Sequence, residues 1–133
     1  MNKRIALATA ALTGTALLAV PVAATAAPIR ADVEREKDGM CSSSSTWDFN
    51  LEKEHGRIDI DIDVDVDSRA AGQKWKVKIT HEGKTVYNKT RTTDREGEID
   101  VSRNVKDTRG KDKVTFRATN NSTGEVCRAS LTI

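Results

Sequence analysis

Apolar residues recur at every second position through most of 46–133, which is the signature of β-strands with one buried side. Trp47, Phe49 and Leu51 alternate with Asp48, Asn50 and Glu52, and Ile58, Ile60, Ile62, Val64 and Val66 alternate with Asp59, Asp61, Asp63, Asp65 and Asp67. The EHGR segment between them contains Gly56 and predicts a hairpin turn. Trp75, Val77 and Ile79 then alternate with Lys74, Lys76 and Lys78. Glu82 and Gly83 have the chemistry of a tight two-residue turn into a weaker strand over 84–92. Ile99 with Val101, then Val114, Phe116 and Ala118, and finally Cys127, Ala129, Leu131 and Ile133 mark three more strands. No stretch keeps a helical period for long. Upstream, 27–40 is polar and charged with no apolar period, and CSSSS follows it. The pattern therefore predicts a flexible leader and linker over 27–45 and a folded domain over 46–133.

Seven short strands separated by turn residues predict an all-β fold, a seven-stranded antiparallel β-sandwich after a cleaved signal peptide. At this level the chain resembles immunoglobulin-like and fibronectin type III-like domains. Trp75, on the third strand, sits where immunoglobulin domains carry a core tryptophan, whereas the cysteines join the start of the domain to its last strand. CSSSSTW, GQKWKVKI, RTT and TGEVCR are also similar to segments of small secreted actinobacterial proteins, over Cys41 to the C terminus. That likeness implies no activity.

The sandwich arrangement implies which strands are neighbours. The strands around 46–52, 58–66 and 98–101 would share one sheet, and the other four would form the second. Outward residues of the first would be Asp48, Glu52, Asp59, Asp61, Asp63, Asp65, Asp67, Glu98 and Asp100. Those of the second would be Lys74, Lys76, Lys78, Lys89, Arg91, Lys113, Arg117 and Arg128. The rival arrangement pairs 58–66 with 74–80 in one sheet, aspartate against lysine, each pair contributing about 0.2–1 kcal/mol. The seven-residue DSRAAGQ connection is long for a hairpin, and Trp75 suits a core between sheets, so the two-sheet arrangement is the expectation.

The N-terminal composition adds a destination. Lys3 and Arg4 precede an uncharged, Ala- and Thr-rich stretch and a small-x-small pattern at Ala24, Thr25 and Ala26, the order of a signal peptide over 1–26. The uncharged stretch is short for a membrane anchor, so the expectation is a secreted, extracellular protein without one. Cleavage would leave 107 of 133 residues and would remove only those two charges, turning 22 basic residues into 20 against 20 acidic. Any electrostatic function must then come from how charge is distributed.

Cys41 and Cys127 are the only cysteines. In an oxidising compartment they predict a disulfide, whose long loop is worth about 4–5 kcal/mol on the chain-entropy model. A free thiol pair is the alternative, and no CxxC spacing supports it.

Candidate chemistry is sparse. Neighbouring aspartates on a strand are about 6.8 Å apart, so they can lean on one ion without surrounding it. DIDIDV has a valine where a calcium loop needs glycine, and Ala70 stands where such a loop closes with glutamate. Weak divalent-cation binding by the face as a whole is what this permits. Lys74, Lys76 and Lys78, with Tyr87 and Arg91, offer a polyanion such as nucleic acid a salt-sensitive contact. His55 and His81 fall in predicted turns, expected to be exposed, with no HxH or HExxH spacing. The sequence therefore predicts a non-enzymatic module without cofactor or metal, acting through charged faces on an unknown macromolecule or on itself. The alternative is a protease or hydrolase inhibitor presenting DSRAAGQ or TTDREGE as a rigid loop.

Overall fold

A computed structural model of the chain describes residues 33–133. The expected signal peptide and the first part of the leader lie outside the described residues. Eight strands follow in order: β1 Val33–Met40, β2 Thr46–Glu54, β3 Arg57–Asp65, β4 Lys74–His81, β5 Lys84–Thr92, β6 Glu98–Lys106, β7 Lys113–Asn120 and β8 Val126–Thr132. A single 3₁₀ turn, Asp67–Arg69, interrupts the β3–β4 connection.

The strands form two antiparallel sheets, ordered β1-β2-β3-β6 and β5-β4-β7-β8. β3 and β4 thus lie in different sheets, and the aspartate and lysine rows are not cross-strand partners. Two hairpins set the register. His55 and Gly56 turn β2 into β3 with φ of 48° and 78°, and Glu82 and Gly83 turn β4 into β5 with φ of 49° and 77°. Positive φ at both central residues is the mirror-image turn whose twist matches antiparallel strands.

The core fills the space between the sheets with the alternate residues that the pattern marks. Phe49, Leu51, Ile58, Ile60, Trp75, Val77, Ile79, Val114 and Phe116 are wholly buried. Each such side chain contributes about 1.5–3 kcal/mol by leaving water. Phe116 of β7 receives Trp47 and Phe49 of β2 edge-on, with ring centroids 5.4 and 5.1 Å away, joining the two sheets through aromatic contacts.

The expectation of a flexible leader is corrected over Val33–Met40, which forms a full edge strand against β2 and raises the strand count from seven to eight. Gly39 lies opposite Trp47, and a side chain there would meet the indole ring at 2.6 Å. The indole Nε1 in turn donates to the Met40 carbonyl at 3.3 Å. The serine run is ordered as well. Cys41 N–H bonds to Ser45 O, and Ser42 N–H bonds to Val126 O, which ties the run to the free edge of β8.

Candidate functional site

On the outer side of the first sheet, the registers line up side chains abreast. Asp38, Asp48, Asp63 and Asp100 form one row across all four strands. Thr46, Asp65 and Glu98 form the next row on one side, and Glu36, Asn50, Asp61 and Ser102 the next on the other. With Glu34, Glu52, Glu54 and Asp59, this face collects twelve of the chain's 20 acidic residues. Arg57 and Lys106 sit opposite each other at one end and are the face's only bases among the described residues.

Neutral donors relieve part of the crowding. Ser102 Oγ donates to Asp61, and Asn104 Nδ2 donates to Asp59. The four-aspartate row has no such help among the described residues. Burial, and then the carboxylates of Asp100, Asp48, Asp61 and Asp65, push the Asp63 carboxyl above the usual aspartate range. Asp65, aided by slight burial, does the same to Glu98. Of the expected acidic residues, Asp67 lies beyond the end of β3, in the 3₁₀ turn.

The outer side of the second sheet has the opposite character. Lys74, Lys76 and Lys78 run along β4, and Lys78 stands abreast of Arg117 and Arg128 on β7 and β8. Lys113 completes six exposed bases on this face, with threonines, asparagine and serine between them and, among the described residues, no acidic one. Lys89 and Arg91 do not belong to it. They pair with Val77 and Trp75, so they share the inward side of β5, and at a sheet edge that side opens laterally. Arg91 reaches across to β6 and donates to the Asp100 carbonyl at 3.1 Å. A bulge between Ile79 and Thr80 shifts the β4–β5 register, and the weak strand over 84–92 has no firm apolar phase that would set Lys89 and Arg91 on one side or the other. Arg35 and Lys37 are likewise on the inward side of an edge strand, β1.

One end of the sandwich holds a buried polar network that the sequence did not reveal. Asp112 is fully buried, and its Oδ1 accepts from His81 Nε2 at 2.7 Å and from Thr108 Oγ1 at 2.5 Å and N at 3.2 Å. Its Oδ2 accepts from Lys53 Nζ at 3.3 Å, and that ammonium also pairs with Asp107 at 2.7 Å. Burial alone would raise the Asp112 carboxyl, yet the hydrogen bonds from Thr108 and His81 outweigh it and hold the group far below the ordinary aspartate range. An acceptor held ionised requires His81 to carry its proton on Nε2. His81, expected to be exposed in a turn, is only 8% exposed.

His81, Glu82 and Asp112 each offer a ligand atom, all within 4.8 Å of one another, a donor set that zinc accepts. Those atoms are already committed: His81 to Asp112, Asp112 to four donors, and Glu82 to the Lys113 N–H. The cluster therefore ties β2, β4 and the β6–β7 loop together, and the Asp112 backbone pairs with Ile133 just past β8. His55, by contrast, is exposed in its turn.

The opposite end carries the Cys41–Cys127 disulfide. Beside it Glu125 accepts from Ser45 N at 2.9 Å and Ser45 Oγ at 3.0 Å. The two candidate loops meet here. Thr93 Oγ1 donates to the Ala70 carbonyl at 2.6 Å, and Asp94 accepts from the N–H groups of Glu96 and Glu98. Gly97 lies so close to Arg69 that a side chain there would meet its backbone at 2.6 Å. Both loops are braced, and Asp67–Arg69 is curled rather than extended.

Among the described residues, no helix is long and apolar enough to cross a membrane. Comparison with protein-family models, curated proteins and solved structures finds no match for this chain.

Proposed function

We propose that the protein is an exported, non-catalytic β-sandwich module that binds charged macromolecular surfaces through its two outer faces. The observation that carries this reading is the segregation of charge: twelve acids on one outer face against six bases and no acid on the other. Export is supported by the Cys41–Cys127 disulfide, which suits an oxidising compartment. The strand orders, with β2-β3-β6 in one sheet and β5-β4-β7-β8 in the other, support an immunoglobulin-like or fibronectin type III-like arrangement with β1 added at an edge. A non-catalytic role is supported by the two histidines, one exposed in a turn and the other committed to Asp112.

Column retention tests the reading. At low ionic strength the protein should bind both heparin and immobilised polylysine and should leave both as salt screens the contact. Lys76→Gln with Lys78→Gln should weaken heparin retention alone, and Asp48→Asn with Asp100→Asn should weaken polylysine retention alone. Retention indifferent to both pairs would overturn the proposal. The inhibitor reading draws on the mutual bracing of the 67–73 and 92–98 loops. Prompt cleavage of these loops by broad-specificity proteases would remove it.

A further inference from the structure

We infer that the acidic face of one molecule seats the basic face of a second copy, and that the contact repeats in one direction to build open stacks. The inference rests on the charged-face reading and narrows it to one occupant.

The two faces are complementary in more than sign. Both are built on the same pleated lattice, with strands about 4.8 Å apart and outward residues about 6.8 Å apart along each strand. The Asp38, Asp48, Asp63 and Asp100 row can therefore lie over the Lys78, Arg117 and Arg128 row with comparable spacing. Carboxylates along β3 likewise match Lys74, Lys76 and Lys78 along β4. Nor is the acidic row neutralised within the molecule: among the described residues, none of Asp48, Asp63 and Asp100 has a lysine or arginine in ion-pair range.

Charge further selects the symmetry. A two-fold contact using one face twice would set carboxylates on carboxylates, or ammonium on guanidinium, so both self-complementary arrangements are repelled. Acid on base is heterologous. Because the two faces lie on opposite sides of the sandwich, each added molecule leaves one face of each sign free, and nothing closes the assembly. With sheets packing about 10 Å apart, one molecule plus one contact advances the stack by about 20 Å. From strand spacing and rise, a four-stranded face of about eight residues covers roughly 400–500 Å², about half the usual share of a stable interface. The contact is thus weak, concentration-dependent and opposed by salt.

Sedimentation velocity on the disulfide-bonded chain tests this with two variants. One carries Asp48→Asn, Asp63→Asn and Asp100→Asn, and the other carries Lys76→Gln, Lys78→Gln and Arg117→Gln. All six positions are exposed, and near-ultraviolet circular dichroism checks that each variant keeps its core. At low salt the wild type should grow with concentration without a plateau at the dimer, and salt should return it to monomer. Each variant alone should self-associate about tenfold more weakly, the order expected for losing two or three exposed ion pairs. An equimolar mixture should form a heterodimer and stop, since each variant keeps the face the other lacks.

A plateau at the dimer for the wild type would overturn the open stack, as would either variant growing as the wild type does. A wild type that stays monomeric throughout would overturn the self-contact. In that case, face-dependent retention on heparin and polylysine would leave the charged-face reading standing, and its absence would remove both.

Discussion

Replacing Asp112 with alanine removes the acceptor at which three parts of the fold converge, β2, β4 and the β6–β7 loop. His81 Nε2, Thr108 Oγ1 and the Thr108 N–H lose their partner inside the protein, while Lys53 keeps Asp107 at 2.7 Å. Breaking a buried charged network by deleting one member costs about 3–5 kcal/mol. The surviving Lys53–Asp107 pair places the expected loss near the lower end, about 3 kcal/mol. In a domain of this size each kcal/mol moves Tm by about 4–8 °C, so the melting temperature should fall by about 12–24 °C. Near-ultraviolet circular dichroism of the Trp47 and Trp75 bands during a thermal ramp, with urea titration at 25 °C, measures it. The pH dependence gives an independent check. A carboxyl whose folded pKa is depressed stabilises fully above its unfolded value near 4 and loses that contribution as pH falls toward the folded value. The gap between wild type and variant should therefore narrow steadily below about pH 4. A loss under about 1 kcal/mol at pH 7, the cost of an ordinary surface pair, or a gap that stays constant into acid, would refute the assignment of Asp112 as an ionised tie.

Asp63→Asn should stabilise the fold, because Asp48 and Asp100 stand directly opposite on both neighbouring strands. Like-charge opposition is worth about 0.2–1 kcal/mol, toward the lower end once solvent screening is counted. A folded pKa raised above the unfolded one means stability falls as pH rises through that window, so the gain should be present at pH 7, grow at low salt and vanish in acid; urea midpoints at two salt concentrations measure it. Gly39→Leu should lift β1 from Trp47, since even the first side-chain carbon collides with the indole. A loss of about 1–3 kcal/mol is expected, with faster amide exchange across β1, and an unchanged exchange pattern would show that β1 does not depend on this contact.

The period-two pattern is enough for β2, β3, β4, β6, β7 and β8 because each has a buried or half-buried side to enforce its phase, whereas β5 has none and is marked mainly by the turn that leads into it. The partition into two sheets followed from one long connection and one tryptophan. β1 escaped for a physical reason: as an edge strand it buries almost nothing, so apolar periodicity carried no signal. Another signal was present. Glu34, Arg35, Glu36, Lys37 and Asp38 alternate in sign, and a strand sorts such an alternation into an acidic side and a basic side. That alternation extends the acidic face by three residues that the sequence reading omitted. Lys89 and Arg91 depart from the expected face because β5 sets Tyr87, Lys89 and Arg91 on one side and Asn88, Thr90 and Thr92 on the other, neither of them an apolar run, so only pairing with β4 fixes its phase. The Asp112 network was illegible because its members come from 53, 81, 107, 108 and 112, a set assembled only by the sandwich. The disulfide needed no geometry, only a count of two.

The edge strands differ in how they would meet another strand. β1 and β5 turn Arg35, Lys37, Lys89 and Arg91 toward the side where a docking strand would have to bury them, and β6 does the same with Arg103, a known deterrent to edge-to-edge pairing. β8 has no such guard: its inward residues after Cys127 are Ala129 and Leu131. What covers its beginning is Ser42, held by backbone and side-chain bonds to Val126 and tethered one residue away by the disulfide. The Cys41–Cys127 bond is thus a redox-sensitive shield as well as a staple. Reduction would remove that tether at the start of the one edge, among the described residues, whose inward side carries no charge.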